Sequence, residues 1–264
     1  MLCCPDHSIC VRTISTIARF VLLEARRSGL PWLALACVVA GLGLAGFLSQ
    51  VALTERRELQ AAVVAALLRA CAALLIAAHV VASVAREAND KGTELALALP
   101  LSHSTYYLGK LLGFGCCAAL LASAFALPQL LWSAPAAVAQ WWISLAAETA
   151  LVAAMGLFFA VSMTQVVPAI AATAGLYLLA RSVSAIQAIA AGPLAEETAG
   201  ARVARAIVDA VALLLPRLDL ATRTEWLLYG AAGAREFFSA LGGISIYFFL
   251  LAAAGLFDFE RRNV

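Results

Sequence analysis

Apolar residues run in six long blocks along the chain, at roughly 31–53, 61–83, 106–132, 137–162, 165–188 and 237–257. A helix needs about 20 apolar residues to cross the hydrocarbon of a bilayer, and each block supplies them. The pattern predicts an all-α, polytopic membrane protein whose six transmembrane helices form one domain over 31–264. Pro31 suits the first turn of the first span, and Pro135 and Pro168 mark the joints before and after the fourth. Residues 11–29 depart from the pattern. Ile14, Ile17, Val21 and Leu22 share one helical face while Arg12, Arg19, Arg26 and Arg27 supply charge. An amphipathic helix lying in the membrane interface is expected there, so that 1–30 form a tail and interfacial helix. A second amphipathic stretch, 200–215, is stopped by Pro216 inside the one long connection, 189–236.

Composition agrees with the spans. Of 264 residues, 64% are hydrophobic and 13% charged, against about 25% charged in a soluble domain. So few charges cannot coat a water-soluble fold, and membrane lipids are the expected surroundings. A net charge of +2 with no basic, aromatic-interleaved patch excludes nucleic acid as a partner. The cysteines lie in the first residues (Cys3, Cys4, Cys10) or inside apolar blocks (Cys37, Cys71, Cys116, Cys117), so no disulfide framework is expected. Cys3, Cys4, His7 and Cys10 fit no standard zinc spacing, and no metal site or cofactor is expected in the chain. The N-terminal 30 residues also lack the basic start, short apolar core and cleavage site of a removable signal.

Orientation follows from Lys and Arg in short flanks. Arg12, Arg19, Arg26, Arg27, Arg86, Lys91, Lys110, Arg261 and Arg262 fall on one side, against only Arg56 and Arg57 in a short loop on the other. Both termini and the loop 84–105 are therefore expected in the cytoplasm. The Ala-, Leu- and Arg-rich composition suggests a bacterial inner membrane. Trp132, Trp141 and Trp142 are expected in an outer aromatic belt.

Two short matches mislead. GLGLAG at 41–46 spells a dinucleotide fingerprint, but inside an apolar span rather than between a strand and a helix. Its glycines instead predict close helix–helix approach. LGKLL at 108–112 hints at a phosphate loop, yet Ser104 stands where its first glycine belongs and Leu111 where its Ser/Thr belongs. No nucleotide site is expected in this chain.

One polar passage interrupts the apolar sequence: REANDKGTELALALPLSHSTYYLGK, residues 86–110. It predicts a short helix over 86–99 with Glu87, Asp90, Lys91 and Glu94 toward water and Leu95, Leu97 and Leu99 as contact surface. Gly92 weakens that helix and Pro100 ends it. Ser102 or Ser104 then caps the next helix, with Tyr106 and Tyr107 at the interfacial level. The passage is longer than a plain loop needs to be, and its apolar edge suits another protein.

The passage resembles the first cytoplasmic loop of type-2 ABC exporter permeases through Glu87, Lys91, Gly92, Thr93, Glu94, Leu95, Leu99, Pro100, Ser102, Tyr106, Gly109 and Lys110. The interfacial helix, the six spans, the long segment before the last span and the basic FDFERRNV end are similar too. Within that family the layout also resembles the permease of the nitrous-oxide-reductase maturation transporter. The resemblance implies that 84–105 is a coupling helix gripped by a separate cytoplasmic ATPase through Glu87, Asp90, Lys91, Gly92, Thr93, Glu94, Leu95 and Pro100. It implies that ATP and Mg act in that partner, that a second permease copy completes a homodimer, and that a periplasmic partner joins some members.

Ionisable groups inside spans are costly and invite a functional reading. Arg69 and Glu148 sit at similar depth in spans two and four, which permits a pair, with Arg181 on span five as the rival partner. Such groups either fix helix register or line a pathway. His79 is expected to be a buried, hydrogen-bonded histidine. The outer segment 217–230, with Asp219, Arg223, Glu225 and Trp226, suits a lid over an exit or a dock for a periplasmic partner. Alternatives to an exporter subunit are a non-transporting membrane scaffold and a membrane-embedded enzyme. His7, His79 and His103 share no span with a second catalytic candidate, which argues against the enzyme.

Overall fold

Backbone groups have no partner in hydrocarbon except one another, and every apolar block is a helix. The computed structural model describes residues 7–51, 56–90, 102–163, 165–190 and 199–261. In chain order the described helices are α1 (His7–Arg27), α2 (Leu30–Val51), α3 (Arg56–Asn89), α4 (His103–Ala126), α5 (Pro135–Ser162), α6 (Val166–Ala190), α7 (Ala199–Leu214), α8 (Glu225–Tyr229) and α9 (Ala234–Arg261). Helices α2, α3, α4, α5, α6 and α9 are long and apolar enough to cross a membrane, α4 with the 3-10 turn Leu127–Leu131 that continues it. Residues 91–101, which carry Lys91, Gly92, Thr93, Glu94, Leu95 and Pro100, lie outside the described residues, as do Cys3 and Cys4.

Helix α5 is the axis of the bundle. It packs against α3, α4, α6 and α9, and Trp141, Leu145, Leu151 and Met155 along it are fully buried beside Leu68, Ile76, Phe114 and Phe125 from its neighbours. Helices α2 and α9 keep most of their apolar surface outward, as lipid-facing helices do. The joint between α1 and α2 is only Ser28 and Gly29. Gly29 adopts φ 83° there, a left-handed conformation that glycine reaches without the Cβ clash of other residues. The chain before α9 is fixed by a reciprocal pair: the Gln140 amide donates to the Ala232 carbonyl (3.2 Å) and accepts from the Ala232 N–H (2.7 Å).

Helix α1 does not stand apart from the bundle. It lies along the first half of α4, with Val21, Ala18 and Ala25 buried in the contact. Gly109 and Gly113 on α4 make the approach possible. A Cβ at Gly113 would stand 2.7 Å from Val21 Cβ and 3.1 Å from Ala18 Cα, and one at Gly109 would stand 2.9 Å from Ile17 Cβ. Small residues four apart are the usual way helices approach closely in membranes. The GLGLAG glycines do not serve this purpose. Gly41 makes only ordinary contact with Val64 and Leu68, while Gly43 and Gly46 face open space. That stretch lies on the outward helix α2, whereas the Gly109–Gly113 pair lies on an inner one.

Three other expectations change. The segment 86–89 is the last turn of α3, closed by the Asp90 N–H on the Arg86 carbonyl at 2.9 Å, rather than the start of a new helix. Trp141 is fully buried, because its side of α5 faces the bundle, while Trp142 is exposed and donates to Ser123 Oγ at 3.0 Å. Tyr106 and Tyr107 are also buried, the latter against Gly255 and Phe259 of α9. Ser102 is the cap of α4, its hydroxyl accepting from the Thr105 N–H at 3.2 Å.

Replacing Gly113 with Val should lower the apparent melting temperature in detergent, at a cost of about 1–3 kcal/mol typical of overpacking. Gly43→Ala should leave it unchanged. Equal melting of the two variants would show that α1 does not need this close approach.

Candidate functional site

Among the described residues the buried charges fall into two clusters, one toward each end of the bundle. At the α1 end, polar side chains of three helices meet. Glu24 of α1 accepts from Ser83 (2.8 Å) and Arg86 (3.1 Å) of α3. Nearby, Ser28 Oγ lies 3.3 Å from Nδ1 of the buried His79, whose ring stands edge-on to Phe114 at 6.0 Å. Burial alone would raise the Glu24 carboxyl, but the hydrogen bonds from Ser83 and Arg86 and the charges of Lys110 and Arg86 outweigh it and hold it below its ordinary value.

Beside this group Glu87, in the last turn of α3, pairs with Lys110 of α4 and accepts from the Tyr106 hydroxyl. Lys110 is 2% exposed, with its ammonium also 5.9 Å from the Tyr106 ring and 5.8 Å from the Phe114 ring. A lysine so buried requires its counter-charge. Glu87 is thus turned into the bundle rather than toward water, while Asp90 is exposed. The polar passage is consequently clamped on both flanks: Glu87 stands just before residues 91–101, and Tyr106 and Lys110 just after. Phe259 of α9 closes the same corner, stacked on Tyr106 at 5.9 Å, and Ser162 donates to Asp258 at 2.8 Å.

At the opposite, α8 end, Glu148 of α5 is fully buried. Its partner is Arg181, 3.4 Å away, so the rival of Arg69 takes the carboxylate, joined by the Tyr177 hydroxyl at 3.0 Å. Tyr177 and Arg181 are four residues apart and so share one face of α6. Arg181 also donates to the carbonyls of Leu218 (2.5 Å) and Ala221 (2.9 Å), and Arg69 donates to that of Thr222 (2.8 Å). The segment 217–230 is therefore not a loose flap. It enters the bundle as a 3-10 turn, Leu218–Leu220, and the short α8, with Leu218, Ala221, Thr222, Trp226 and Leu227 buried.

Thr222 is the strained point of that segment, at φ 49°, in the left-handed region that β-branched residues avoid. Ser144 Oγ at 3.2 Å from its hydroxyl and Arg69 on its carbonyl hold it there. Trp226 meets Phe237 edge-on at 5.9 Å, and Arg223 pairs with Glu236 at 2.9 Å. Asp219 lies 3.7 Å from Arg217, and Glu225 is exposed on the rim.

The structure thus gathers Arg69, Glu148, Arg181, Asp219, Arg223 and Glu225 at one end, and His79 and Glu87 at the other. Glu24, Ser83, Tyr177, Ser144 and Thr222 were not singled out in the sequence. Two of them carried a signal: Glu24 is the lone acid of its helix, three residues from the buried Val21, and Tyr177 precedes Arg181 by one turn. Neither a protein-family model nor a curated protein sequence matches this chain.

Arg181→Ala should destabilise the protein by about 3–5 kcal/mol, since it strands a buried carboxylate. Adding Glu148→Leu should restore part of that loss, whereas Glu148→Leu should not rescue Arg69→Ala. A double-mutant cycle of thermal stability reads the coupling, and equal rescue of both arginines would place the pairing elsewhere. At the α1 end, a depressed Glu24 carboxyl contributes stability above its ordinary value of 4.5, lost as the pH falls below it. The protection factors of α1 amides, taken against the intrinsic exchange rate at each pH, should therefore fall on acidification through that range in the wild-type protein, and already be low at neutral pH in Glu24→Gln.

Proposed function

We propose that this chain is the membrane subunit of an ATP-driven exporter of the type-2 ABC class. It works as a homodimer in a bacterial inner membrane, with both termini in the cytoplasm and α1 as its interfacial elbow. A separate cytoplasmic ATPase, holding ATP and Mg, grips the passage through Asp90, the 91–95 residues and Pro100, and its closure tilts the helices between inward- and outward-open arrangements.

The observation that carries this is the double clamp on the passage. A loop that merely joins two spans has no need of an ion pair buried beside it, since desolvating two charges costs several kcal/mol per ion. With Glu87 bound to Tyr106 and Lys110, a load on residues 91–101 passes directly into α3 and α4, and through Gly109 and Gly113 into α1. Four residues of the resemblance, Glu87, Tyr106, Gly109 and Lys110, acquire these mechanical roles, which supports the family reading. The substitution Glu87→Gln is accordingly expected to uncouple rather than to release a partner.

The well-packed outer end favours a second reading, a non-transporting scaffold that holds an ATPase or a periplasmic partner. Affinity purification of the tagged chain from its native membrane separates the two. An exporter subunit should bring down an ATPase whose hydrolysis responds to added substrate and which Glu94→Arg releases. A bound ATPase indifferent to every substrate supports the scaffold, and a chain that comes down alone ends both.

A further inference from the structure

Above the Glu148–Arg181 pair lies an open cavity of about 500 Å³. Four guanidinium groups line it, from Arg69, Arg181, Arg217 and Arg223, together with the carboxylates of Asp219 and Glu225. Their partners are unevenly shared. Arg181 is committed to Glu148 and Arg223 to Glu236, and Arg217 leans on Asp219. Arg69, half-buried within a spanning helix, reaches only the Thr222 carbonyl and the Tyr177 hydroxyl. No carboxylate lies within ion-pair distance of it among the described residues. On the facing rim Glu225 has no cation within reach among those residues, and Asp219 keeps one carboxylate oxygen without a partner.

The cavity therefore offers a cation short of an anion and anions short of a donor. A simple anion would satisfy Arg69 but be repelled by Asp219 and Glu225, and a simple cation would meet the reverse. Both signs are answered by one molecule that carries both. We infer that this cavity binds a zwitterionic phosphate ester bearing a primary ammonium: the phosphate on Arg69 and Arg217, and the ammonium against Glu225 and Asp219. Guanidinium suits a phosphate through its paired N–H donors, and a primary ammonium has three donors for carboxylates. A trimethylated ammonium has none. The volume falls within the range of small-ligand sites. The group arrives either as the head of a phospholipid or as a soluble ester. The site requires no ATPase, and it holds whether the chain transports or anchors.

Native mass spectrometry of the detergent-purified full chain, given equal amounts of phosphatidylethanolamine, phosphatidylglycerol and phosphatidylcholine, tests it. Retention of phosphatidylethanolamine about tenfold over the other two is expected, and Glu225→Gln, a rim substitution that touches no packing, should abolish the preference, as should Arg69→Gln. In parallel, O-phosphoethanolamine but not phosphocholine should raise the melting temperature if the natural source is soluble. Preference in the lipid arm alone identifies a headgroup, and preference in the soluble arm alone a free ester. Equal retention of phosphatidylglycerol would reduce the site to one for simple anions and overturn the proposal. No preference in either arm, or a preference that survives Glu225→Gln, overturns it as well.

Discussion

A charge placed among apolar helices must meet its opposite or reach water, and this requirement organises both ends of the bundle. Glu87 with Lys110 serves one end and Glu148 with Arg181 the other. Apolar packing alone would leave these helices free to slide, because lipid tails offer Leu and Ala nearly the same contacts as neighbouring helices do. A buried ion pair does not slide. Displacing either partner leaves an uncompensated charge in a medium that cannot solvate it. Each pair therefore fixes the register of two helices, α3 on α4 and α5 on α6, and the remaining contacts settle around that register.

The two ends put the same device to different uses. Around Glu87 the added partners are side chains, the Tyr106 hydroxyl and the neighbouring Glu24 group, so helices are joined to helices. Around Glu148 the Tyr177 hydroxyl adds one side chain, but Arg181 also donates to the main-chain carbonyls of Leu218 and Ala221, and Arg69 to that of Thr222, so arginines draw an irregular segment into the bundle. Irregular backbone is tolerated at such depth only when protein groups satisfy it, and here the guanidiniums supply those donors. The left-handed Thr222 shows that the segment is held in a shape it would not adopt alone.

The spans were legible because their signal is collective: about twenty apolar residues in a row need no knowledge of what they touch. All six appear as helices, within a turn or two of the expected limits. The polar partners were less legible, because pairing depends on which faces meet. Matched depth permits Arg69 as the partner of Glu148 with Arg181 only as its rival, and the rotation of α6 decides for Arg181. The glycine contacts failed for the same reason. GLGLAG holds more glycines than Gly109–Gly113, but proximity is set by the neighbouring helix, and α2 turns much of its glycine stretch outward. Glu87 was expected to face water because its sequence neighbours are polar, and only the fold shows Lys110 waiting inside.

Helix α3 is continuous from Arg56 to Asn89, with no proline in it, and it carries a member of each polar cluster. Glu87 and Arg69 are eighteen residues apart on it, about 27 Å at 1.5 Å per residue. Without a hinge between them, this helix behaves as a lever rather than a chain of independent joints. A small tilt imposed near Asn89 reappears at Arg69 as an opposite displacement, on the scale that makes or breaks a hydrogen bond. The hold of Arg69 on Thr222 would then answer to a tilt imposed at the other end of the same helix.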